Sequence, residues 1–239
     1  MVKKKMKIKI FSDGADLRSI RYFNKKNFVS GFTTNPSLMA KAKIKNYHEF
    51  GKKITKIVKK KHLSFEVISD DYKNILREAK IIAKFGSNAF VKIPIVNSKG
   101  KSNIKSIFEC SKIGINLNVT AVFTYDQVKS IFKATNKNKS KIIISIFAGR
   151  IADTGRDPVN IITQSLKLTR KNKNIEILWA STREVFNIYQ ANSLGCDIIT
   201  ATPDILSKLN LYNKNLTEYS AETSKSFFKD AQKSNIKIL

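Results

Sequence analysis

Short apolar runs rich in Val, Ile and Phe recur along the chain at intervals of roughly 20 to 35 residues. Runs of this length and composition are typical of buried strands. The stretches between them carry apolar residues at helical spacing and polar residues on the opposite face, as in 70–85 and 158–172. The pattern therefore predicts eight strands, near 7–12, 28–33, 63–68, 89–94, 115–120, 141–147, 175–180 and 197–201.

Strands that alternate with helices favour a parallel sheet. Eight such units in 239 residues predict an α/β fold in which 1–239 form a single (β/α)8 TIM barrel domain, a fold of roughly 250 residues. The segment 216–239 is left over as a C-terminal helical extension, with a helix ending near Lys233. A doubly wound open sheet is the alternative, although no glycine-rich dinucleotide loop follows an early strand.

Individual residues indicate where helices begin and end. Asp70 and Thr124 suit helix N-caps, because their side-chain oxygens can accept hydrogen bonds from the first free backbone N–H groups. Gly86 and Gly114 suit helix ends, where glycine is common.

The direction of side chains in the strands identifies candidate chemistry. Successive residues of a strand point to opposite faces. In the fourth strand Val91 and Ile93 suit the side that meets the helices, which leaves Lys92 pointing into the barrel. The same alternation turns these polar residues of the third and fifth strands inward: Glu66, Asn116, Asn118 and Thr120. Buried polar groups are unfavourable unless they bond to one another, so this layer is a candidate site.

A lysine inside a barrel has a specific chemical use. Burial favours the uncharged amine, which can attack a ketone and form an iminium. The iminium then accepts electrons from a carbon–carbon bond that breaks beside it. The alternative is that Lys92 lies at a strand end and extends its ammonium group into solvent.

Further polar residues follow the predicted strands. Asp13 ends the first strand, where it is either a carboxylate at the barrel mouth or an N-cap for a helix before Leu17. Thr33 and Asn35 follow the second strand, in a loop that either binds a ligand or only starts a helix at Pro36.

The sixth and seventh strands are followed by a second group of candidates. Arg150 lies five residues after Ser145, and Arg183 lies two residues after Ser181. Guanidinium and hydroxyl groups of this kind suit phosphate oxygens. Exposed arginines without a role are the alternative.

The net charge of +27 changes this picture little. Clustered basic residues attract nucleic acid, but here the lysines are spread over the whole length. A compositional bias toward Lys, Asn and Ile on solvated faces is favoured, and nucleic acid is not an expected partner. A positive field would still steer anionic substrates toward a cleft.

No stretch of the chain has the 18 or so apolar residues of a membrane span, and Met1 to Phe11 lacks the apolar run of a signal peptide. Two cysteines, Cys110 and Cys196, are too few for a disulfide framework and lack metal-ligand spacing. We expect reduced thiols in a cytoplasmic protein without a metal site. The two histidines, His48 and His62, are expected to be non-catalytic.

Seven runs of the sequence resemble the transaldolase family, in particular its short members. They occur in the family's order over about the first four-fifths of the chain. The runs are Phe-Ser-Asp at 11–13, Gly-Phe-Thr-Thr-Asn-Pro-Ser at 31–37, Phe-Glu-Val at 65–67, Val-Lys-Ile-Pro at 91–94, Asn-Val-Thr at 118–120, Ser-x-Phe-x-Gly-Arg at 145–150 and Ser-x-Arg at 181–183.

The resemblance implies a role for each candidate. Lys92 would form a Schiff base with a ketose phosphate, Asp13 would be the acid/base in carbon–carbon cleavage, and Glu66 with Thr120 would move protons while the imine forms. The substrate-binding residues would include Thr33, Phe147, the dihydroxyacetone-holding Asn35 and Asn118, and the phosphate-binding Arg150, Arg183, Ser181 and Ser145. No metal or organic cofactor is implied. The expected partners are sugar phosphates and, through the C-terminal helices, further copies of the chain in a homo-oligomer.

The resemblance leaves alternatives open. Fructose-6-phosphate aldolase relatives release dihydroxyacetone, but they typically carry Gln in place of Glu66 and Tyr in place of Phe147. Transfer is therefore favoured over simple aldol cleavage. Departures from the family pattern allow an unusual, modified ketose as substrate; they are Gly14, Ile146, Ala148 and Thr182. A basic nucleic-acid-binding or non-catalytic barrel is the weaker alternative.

Overall fold

The computed structural model describes residues 6–234 and residue 238. Eight parallel strands pair in chain order, and the last pairs with the first to close a barrel. The predicted barrel is confirmed, with every strand boundary within two residues of its expected position, and the open sheet is excluded. The strands are β1 (Lys9–Asp13), β2 (Val29–Thr33), β3 (His62–Glu66), β4 (Ala89–Pro94), β5 (Leu117–Val122), β6 (Ile142–Ile146), β7 (Ile175–Trp179) and β8 (Ile198–Ala201).

Helices follow the strands and cover the outside of the barrel. The described part of the chain contains α1 (Leu17–Asn24), α2 (Pro36–Lys41), α3 (Tyr47–Ile57), α4 (Tyr72–Ala83), α5 (Ile104–Lys112), α6 (Tyr125–Thr135), α7 (Ala148–Ala152), α8 (Val159–Thr169), α9 (Phe186–Ser193), α10 (Pro203–Ser207) and α11 (Leu216–Lys233). A 3-10 helix, Lys208–Leu211, follows α10.

One predicted N-cap is confirmed and one is wrong. Thr124 caps α6 in a capping box with Gln127, an arrangement in which the cap contributes about 1 kcal/mol. The cap of α4 is Asp71, whose side chain accepts from the backbone of Asn74. Asp70 instead accepts hydrogen bonds from the backbone and hydroxyl of Ser98, so it joins two loops rather than starting a helix.

The predicted helix ends differ in the same way. Gly114 follows α5 with φ +85°, a left-handed conformation that favours glycine at this position. The helix α4 already ends at Ala83, and its cap Lys84 bonds back to Ile81 and Ile82. Gly86 therefore lies in the turn before β4, where its carbonyl accepts a hydrogen bond from Ala89.

The apolar core has an outer and an inner part. Outward-facing strand residues such as Val91 and Ile93 pack against the helices in one large cluster. A smaller cluster fills the barrel interior and contains Phe11, Phe90, Ile143, Leu178, Ala180 and Ile198. Phe11, Phe90 and Ile143 each lie two residues before a polar, inward-pointing residue of the same strand. The polar layer therefore lies at the C-terminal end of the barrel, above the layer formed by this smaller apolar cluster. Active sites of this fold lie at that end.

The last helix stands apart from this core. The predicted helix ending near Lys233 is confirmed as α11, but none of its residues is buried. Beside the barrel, a groove of about 890 Å³ lies between α1 and α10 and is lined in part by Ile8, Phe23 and Leu209.

Both cysteines are buried, free thiols. Among the helices of the described chain, none combines the length and apolar character needed to cross a membrane.

Candidate active site

Lys92 lies at the centre of the polar layer inside the barrel. It faces Glu66 on the neighbouring strand, with which it is paired in register. Its Nζ lies 3.1 Å from Oε2 of Glu66 and donates to the carbonyl of Thr34 at 2.9 Å. The side chain is only 7 % exposed, so the alternative of an ammonium group extending into solvent is excluded. A carboxylate at this distance can take the proton that the amine must lose before it attacks a carbonyl.

Glu66 is held by a contact from outside the barrel. Tyr47, in α3, donates its hydroxyl to the backbone carbonyl of Glu66 at 2.6 Å. Burial raises the pKa of Tyr47, and the nearby charges of Glu66 and Glu78 raise it further. The phenol therefore stays protonated and remains a donor, which fixes the end of β3 beside Lys92.

Asp13 ends β1 and is not a helix cap. The cap of α1 is Asp16, which accepts from the backbone of Ser19. Oδ1 of Asp13 accepts a hydrogen bond of 2.7 Å from the hydroxyl of Thr33. Burial raises the pKa of Asp13 and Glu66 adds to this effect, whereas Lys92 and the Thr33 hydrogen bond oppose it. A carboxylate with a raised pKa binds a proton more readily than an ordinary aspartate, which suits a group that must both accept and donate one.

Asn118 lies at the centre of a buried chain of hydrogen bonds. Its Oδ1 accepts from Ser145 at 2.6 Å, and its Nδ2 donates to Ser64 at 3.0 Å. These two contacts fix the orientation of the amide, since oxygen and nitrogen each have a defined partner. On the same strand, the buried Oγ1 of Thr120 has no protein hydrogen-bond partner within the described residues. A buried hydroxyl of this kind is available to a substrate or to water.

His62 lies at the floor of this network. Its Nε2 lies 2.7 Å from the hydroxyl of Ser64, and its ring lies between those of Phe11 and Phe90, at centroid distances of 4.7 and 4.0 Å. Burial lowers the pKa of His62 to about 3, and the charge of Lys9 contributes. His62 is therefore neutral at physiological pH. Its expected non-catalytic character stays a prediction.

Asn35 starts the helix after β2. Its side-chain oxygen accepts from the backbone of Leu38 at 2.9 Å, and Pro36 occupies the first position of α2. The expected helix start is therefore present. Because Oδ1 is engaged, only the amide nitrogen of Asn35 remains free to donate to a ligand.

An aromatic and basic group follows β6. The ring of Phe147 lies 5.7 Å from that of Phe123, and the guanidinium group of Arg150 lies 5.4 Å from the centre of the Phe147 ring. Arg150 is exposed on the short helix α7. The cation and the aromatic ring attract each other, which holds the arginine over the end of the barrel.

The loop after β7 packs closely against α7. A Cβ atom on Gly149 would lie 1.7 Å from the carbonyl oxygen of Ser181, so only glycine fits there. Ser181 itself has φ +62°, a strained conformation for a residue with a side chain. Arg183 forms an ion pair with Asp153, which directly follows α7. The two predicted phosphate-binding segments, 145–150 and 181–183, are thus joined.

Most departures from the family pattern lie away from the polar layer. Ile146 and Ala148 are buried in the outer core. Thr182 donates its hydroxyl to the carbonyl of Thr200 at 2.7 Å. Nothing lies within 4 Å of a Cβ added at Gly14, so that position leaves space beside Asp13.

In addition to Tyr47, Phe123 and Asn187, four further residues that contact the predicted ones were not found from the sequence. Ser64 could have been found, because it alternates with Glu66 on the same strand and must point inward as well. The others contribute a backbone carbonyl, a distant hydroxyl or an exposed carboxylate, and they are Thr34, Thr200 and Asp153. In the described part of the chain, no cluster of three or more His, Cys, Asp or Glu residues could hold a metal ion.

Comparisons of the sequence with known proteins point to one family. Residues 10–238 match the sequence profile of the family described as Transaldolase/Fructose-6-phosphate aldolase. A probable transaldolase of Nitrosopumilus maritimus is 37% identical over 205 residues, which cover 84% of this chain and 87% of that protein. A probable transaldolase of Thermoanaerobacter sp. is 34% identical over 232 residues, covering 97% and 100% respectively. The crystal structure of KGPDC from Streptococcus mutans superposes with a TM-score of 0.57 at 13% identity, covering 84% and 90%, a likeness of fold alone.

Proposed function

Because the chain belongs to the transaldolase/fructose-6-phosphate aldolase family, we propose that it is a transaldolase that moves a dihydroxyacetone unit from a ketose phosphate to an aldose phosphate. The observation that carries the proposal is the buried amine of Lys92, 3.1 Å from the carboxylate of Glu66. The reaction uses no metal or organic cofactor.

The first half of the reaction forms the Schiff base. The amine of Lys92 adds to the ketone carbon of the donor sugar to give a carbinolamine, which loses water to become an iminium. Glu66 takes the proton that the ammonium form of Lys92 loses before the attack, and a second proton moves from nitrogen to oxygen when the carbinolamine forms. Glu66 then donates its proton to the carbinolamine hydroxyl, which leaves as water. Thr120, whose buried hydroxyl has no protein partner in the described chain, holds the water that relays this proton.

The second half breaks and remakes a carbon–carbon bond. Asp13 takes the proton of the hydroxyl beside that bond while the bonding electron pair moves to the iminium. An aldehyde leaves, and an enamine remains on Lys92. The enamine attacks the carbonyl carbon of the aldose phosphate, Asp13 returns the proton, and hydrolysis of the new imine releases the product. The raised pKa of Asp13 suits a group that must alternate between these two forms.

Substrate binding is divided between two sides of the barrel mouth. Asn118 and the amide nitrogen of Asn35 bind the dihydroxyacetone hydroxyls. Arg150, Arg183 and Ser181 bind the phosphate. The close packing of Gly149 against Ser181 brings the loop that carries Ser181 and Arg183 next to the helix that carries Arg150. Ser145 is buried and donates to Asn118, so we assign it to orienting that amide rather than to the phosphate.

A trapping experiment tests the proposal. Borohydride added with fructose 6-phosphate reduces the iminium and attaches the sugar permanently, and the mass increase should fall on the peptide that contains Lys92. Lys92→Met should abolish trapping and transfer. The matched control Lys80→Met removes an exposed lysine on α4 and should retain both. Full activity in Lys92→Met would reject the mechanism.

A product assay separates transfer from simple cleavage. A transaldolase releases little dihydroxyacetone unless an aldose phosphate is present, whereas an aldolase releases it without an acceptor. Activity only with a modified ketose would indicate a branch with an altered donor. Steeply salt-dependent RNA binding with no trapping would instead favour the non-catalytic barrel.

The exposed C-terminal helix supports a homo-oligomer as part of the proposal. Helices in proteins gain most of their stability by packing an apolar face, but none of the 18 residues of α11 is buried. The helix exposes Leu216 and Phe227 at 79 % and 69 %. We infer that α11 packs on a second copy of the chain, where the groove between α1 and α10 offers apolar residues such as Ile8, Phe23 and Leu209 beside polar ones.

A further inference from the structure

Two threonine hydroxyls lie beside Asp13 on the strands that flank β1. Thr33 belongs to β2 and Thr200 to β8, and both strands pair with β1. Both side chains are buried, with 2 % and 5 % exposure. Their hydroxyl oxygens are 2.6 Å apart, and the Thr33 hydroxyl also lies 2.7 Å from Oδ1 of Asp13. The three groups form a continuous chain of short hydrogen bonds.

The number of protons fixes the direction of this chain. A threonine hydroxyl has one proton to donate and two lone pairs to accept with. An ionised Asp13 can only accept, so the single proton of Thr33 is used toward the carboxylate. The contact between the two threonines then requires Thr200 to donate to Thr33. Thr200 thereby increases the polarity of the hydroxyl group that contacts Asp13.

We propose that Thr200 is a positioning residue for Asp13, and that it acts through Thr33 to hold the carboxylate in place and favour its ionised form. This inference rests on the proposed function, in which Asp13 must be ionised to accept the substrate hydroxyl proton. It also changes the role of Thr33, whose hydroxyl serves the carboxylate rather than the substrate.

The surroundings of Asp13 make this contribution important. Burial disfavours the charged carboxylate, and the neighbouring charge of Glu66 acts in the same direction. Lys92 on β4 and the hydroxyl of Thr33 on β2 are the groups that favour ionisation. The positive charge on the nitrogen of Lys92 disappears when the iminium becomes an enamine, whereas the hydroxyl chain stays in place throughout. Loss of the chain therefore raises the pKa of Asp13 at the step where the ionised form is needed.

The backbone around Thr200 is also fixed. Its carbonyl accepts the hydroxyl of Thr182 at 2.7 Å. Thr182 lies between Ser181 and Arg183, so the segment that follows β7 holds the strand that presents Thr200. The strand that carries Thr200 is thus held by a contact that does not involve Asp13.

The test compares Thr200→Val, which keeps the shape and removes the hydroxyl, with Thr200→Ser, which keeps the hydroxyl. For Thr200→Val we expect kcat for transfer to fall about three- to tenfold, the range set by losing one hydrogen bond. The acid limb of the kcat/KM–pH profile should move upward by about half a unit to one unit. Borohydride trapping at Lys92 and KM should stay within about twofold, and Thr200→Ser should restore the wild-type profile.

A buried threonine far from the site provides the matched control. Thr135 in α6 is 1 % exposed and donates to a carbonyl of its own helix, so Thr135→Val should change thermal stability without moving the pH profile. If Thr200→Val does not fold, Thr200→Ala removes the same hydroxyl without adding a methyl group in a new position, and its profile is measured instead. An unshifted acid limb in the folded variant overturns the inference. That result leaves the proposed function intact, because Schiff-base trapping at Lys92 is measured separately.

Discussion

The side chains of the polar layer are oriented by hydrogen-bond partners that lie far away along the chain. Thr33 and Thr200 are 167 residues apart, and Asn118 lies 54 residues from Ser64. Each such bond contributes about 1 kcal/mol to stability, and a buried group that loses its partner costs about 1–3 kcal/mol. These bonded members of the layer therefore stabilise one another as a connected set, whereas the hydroxyl of Thr120 has no partner within the described residues.

His62 gives the protein a specific dependence of stability on pH. Its pKa is about 3 in the folded protein and 6.5 in an unfolded chain. Below pH 6.5 the unfolded chain binds a proton that the folded protein does not bind. The free energy of unfolding should therefore fall as the pH decreases from about 6.5 toward 3, by up to about 1.4 kcal/mol per pH unit from this group alone. Above pH 6.5 this contribution is constant.

The measurement is urea unfolding of the wild type and of His62→Gln at several pH values. Asp13 and Asp197 have raised pKa values and act with the opposite sign, so the difference between the two proteins isolates His62. The variant should be less stable at pH 7, because the ring contacts with Phe11 and Phe90 are lost. The stability difference should narrow as the pH falls. A constant difference from pH 7 to pH 5 contradicts the prediction.

At the residue level, the sequence predicted the direction of side chains better than it predicted their hydrogen-bond partners. Strand alternation turned Lys92, Glu66 and Asn118 inward, and the apolar neighbours of Lys92 made its direction clear. Thr200 lay outside this reasoning because Ile198 and Ile199, which point to opposite faces, are both apolar and give no preference for either. A hydrogen bond such as Thr33–Thr200 depends on the closure of the barrel, and no local pattern encodes it.

At the level of elements, strained residues mark the ends of two strands. Ala121 in β5 has φ +56° and Ser181 after β7 has φ +62°. Such conformations are unfavourable for residues with a side chain and persist where surrounding contacts impose them. Ala121 directly follows the predicted catalytic residue Thr120, and Ser181 is itself a predicted phosphate-binding residue. These left-handed backbone conformations turn the chain sharply at the mouth of the barrel.

The contact between α7 and the loop after β7 gives a prediction at this scale. In Gly149→Ala the new methyl carbon would lie 1.7 Å from the carbonyl oxygen of Ser181, which is too close for two atoms that are not bonded. The loop must move, which displaces Ser181 and Arg183 from Arg150. We expect KM for the sugar phosphate to rise about tenfold or more, the equivalent of one phosphate contact of about 1.5 kcal/mol or more.

The matched control is Gly14→Ala, since nothing lies within 4 Å of a Cβ at that position. It should leave KM within about twofold of the wild type. Inorganic phosphate, used as a competitive inhibitor, should lose affinity in Gly149→Ala by the same factor as the substrate. An unchanged KM in Gly149→Ala would show that the loop does not bind the phosphate.

Boundaries of elements were predicted where the deciding interaction is local. Thr124 and Gln127 form a capping box within four residues, and that signature is readable in the sequence. Asp70 and Asp71 are adjacent carboxylates, and either could cap α4. The choice falls on Asp71 because Ser98, in the next loop, binds Asp70. A tertiary contact decided between two residues that are locally equivalent.

At the scale of the whole molecule, α11 is the element that the barrel does not explain. Helices in folded proteins gain most of their stability by packing an apolar face against the rest of the protein. Along α11, Leu216, Tyr219 and Phe227 follow one another at spacings that keep them on one side of the helix. The neighbouring Phe228 is 65 % exposed as well. We therefore expect this apolar side to pack against a partner surface of comparable size.

The prediction that follows concerns the assembly of copies of the chain. Phe227→Glu places a carboxylate in the apolar side of α11 and should convert the proposed homo-oligomer to smaller species in sedimentation velocity at micromolar concentration. Its expected cost of several kcal/mol reflects a buried, unpaired charge at an interface. Lys225→Glu introduces the same group on the opposite side of the helix and should leave the sedimentation coefficient unchanged.

Because every contact described for Lys92 lies within one barrel, the dissociated variant should still be trapped by borohydride. A wild type that sediments as a monomer at all concentrations rules out the proposed contact, and loss of trapping in a folded Phe227→Glu variant would show that the site needs a second copy.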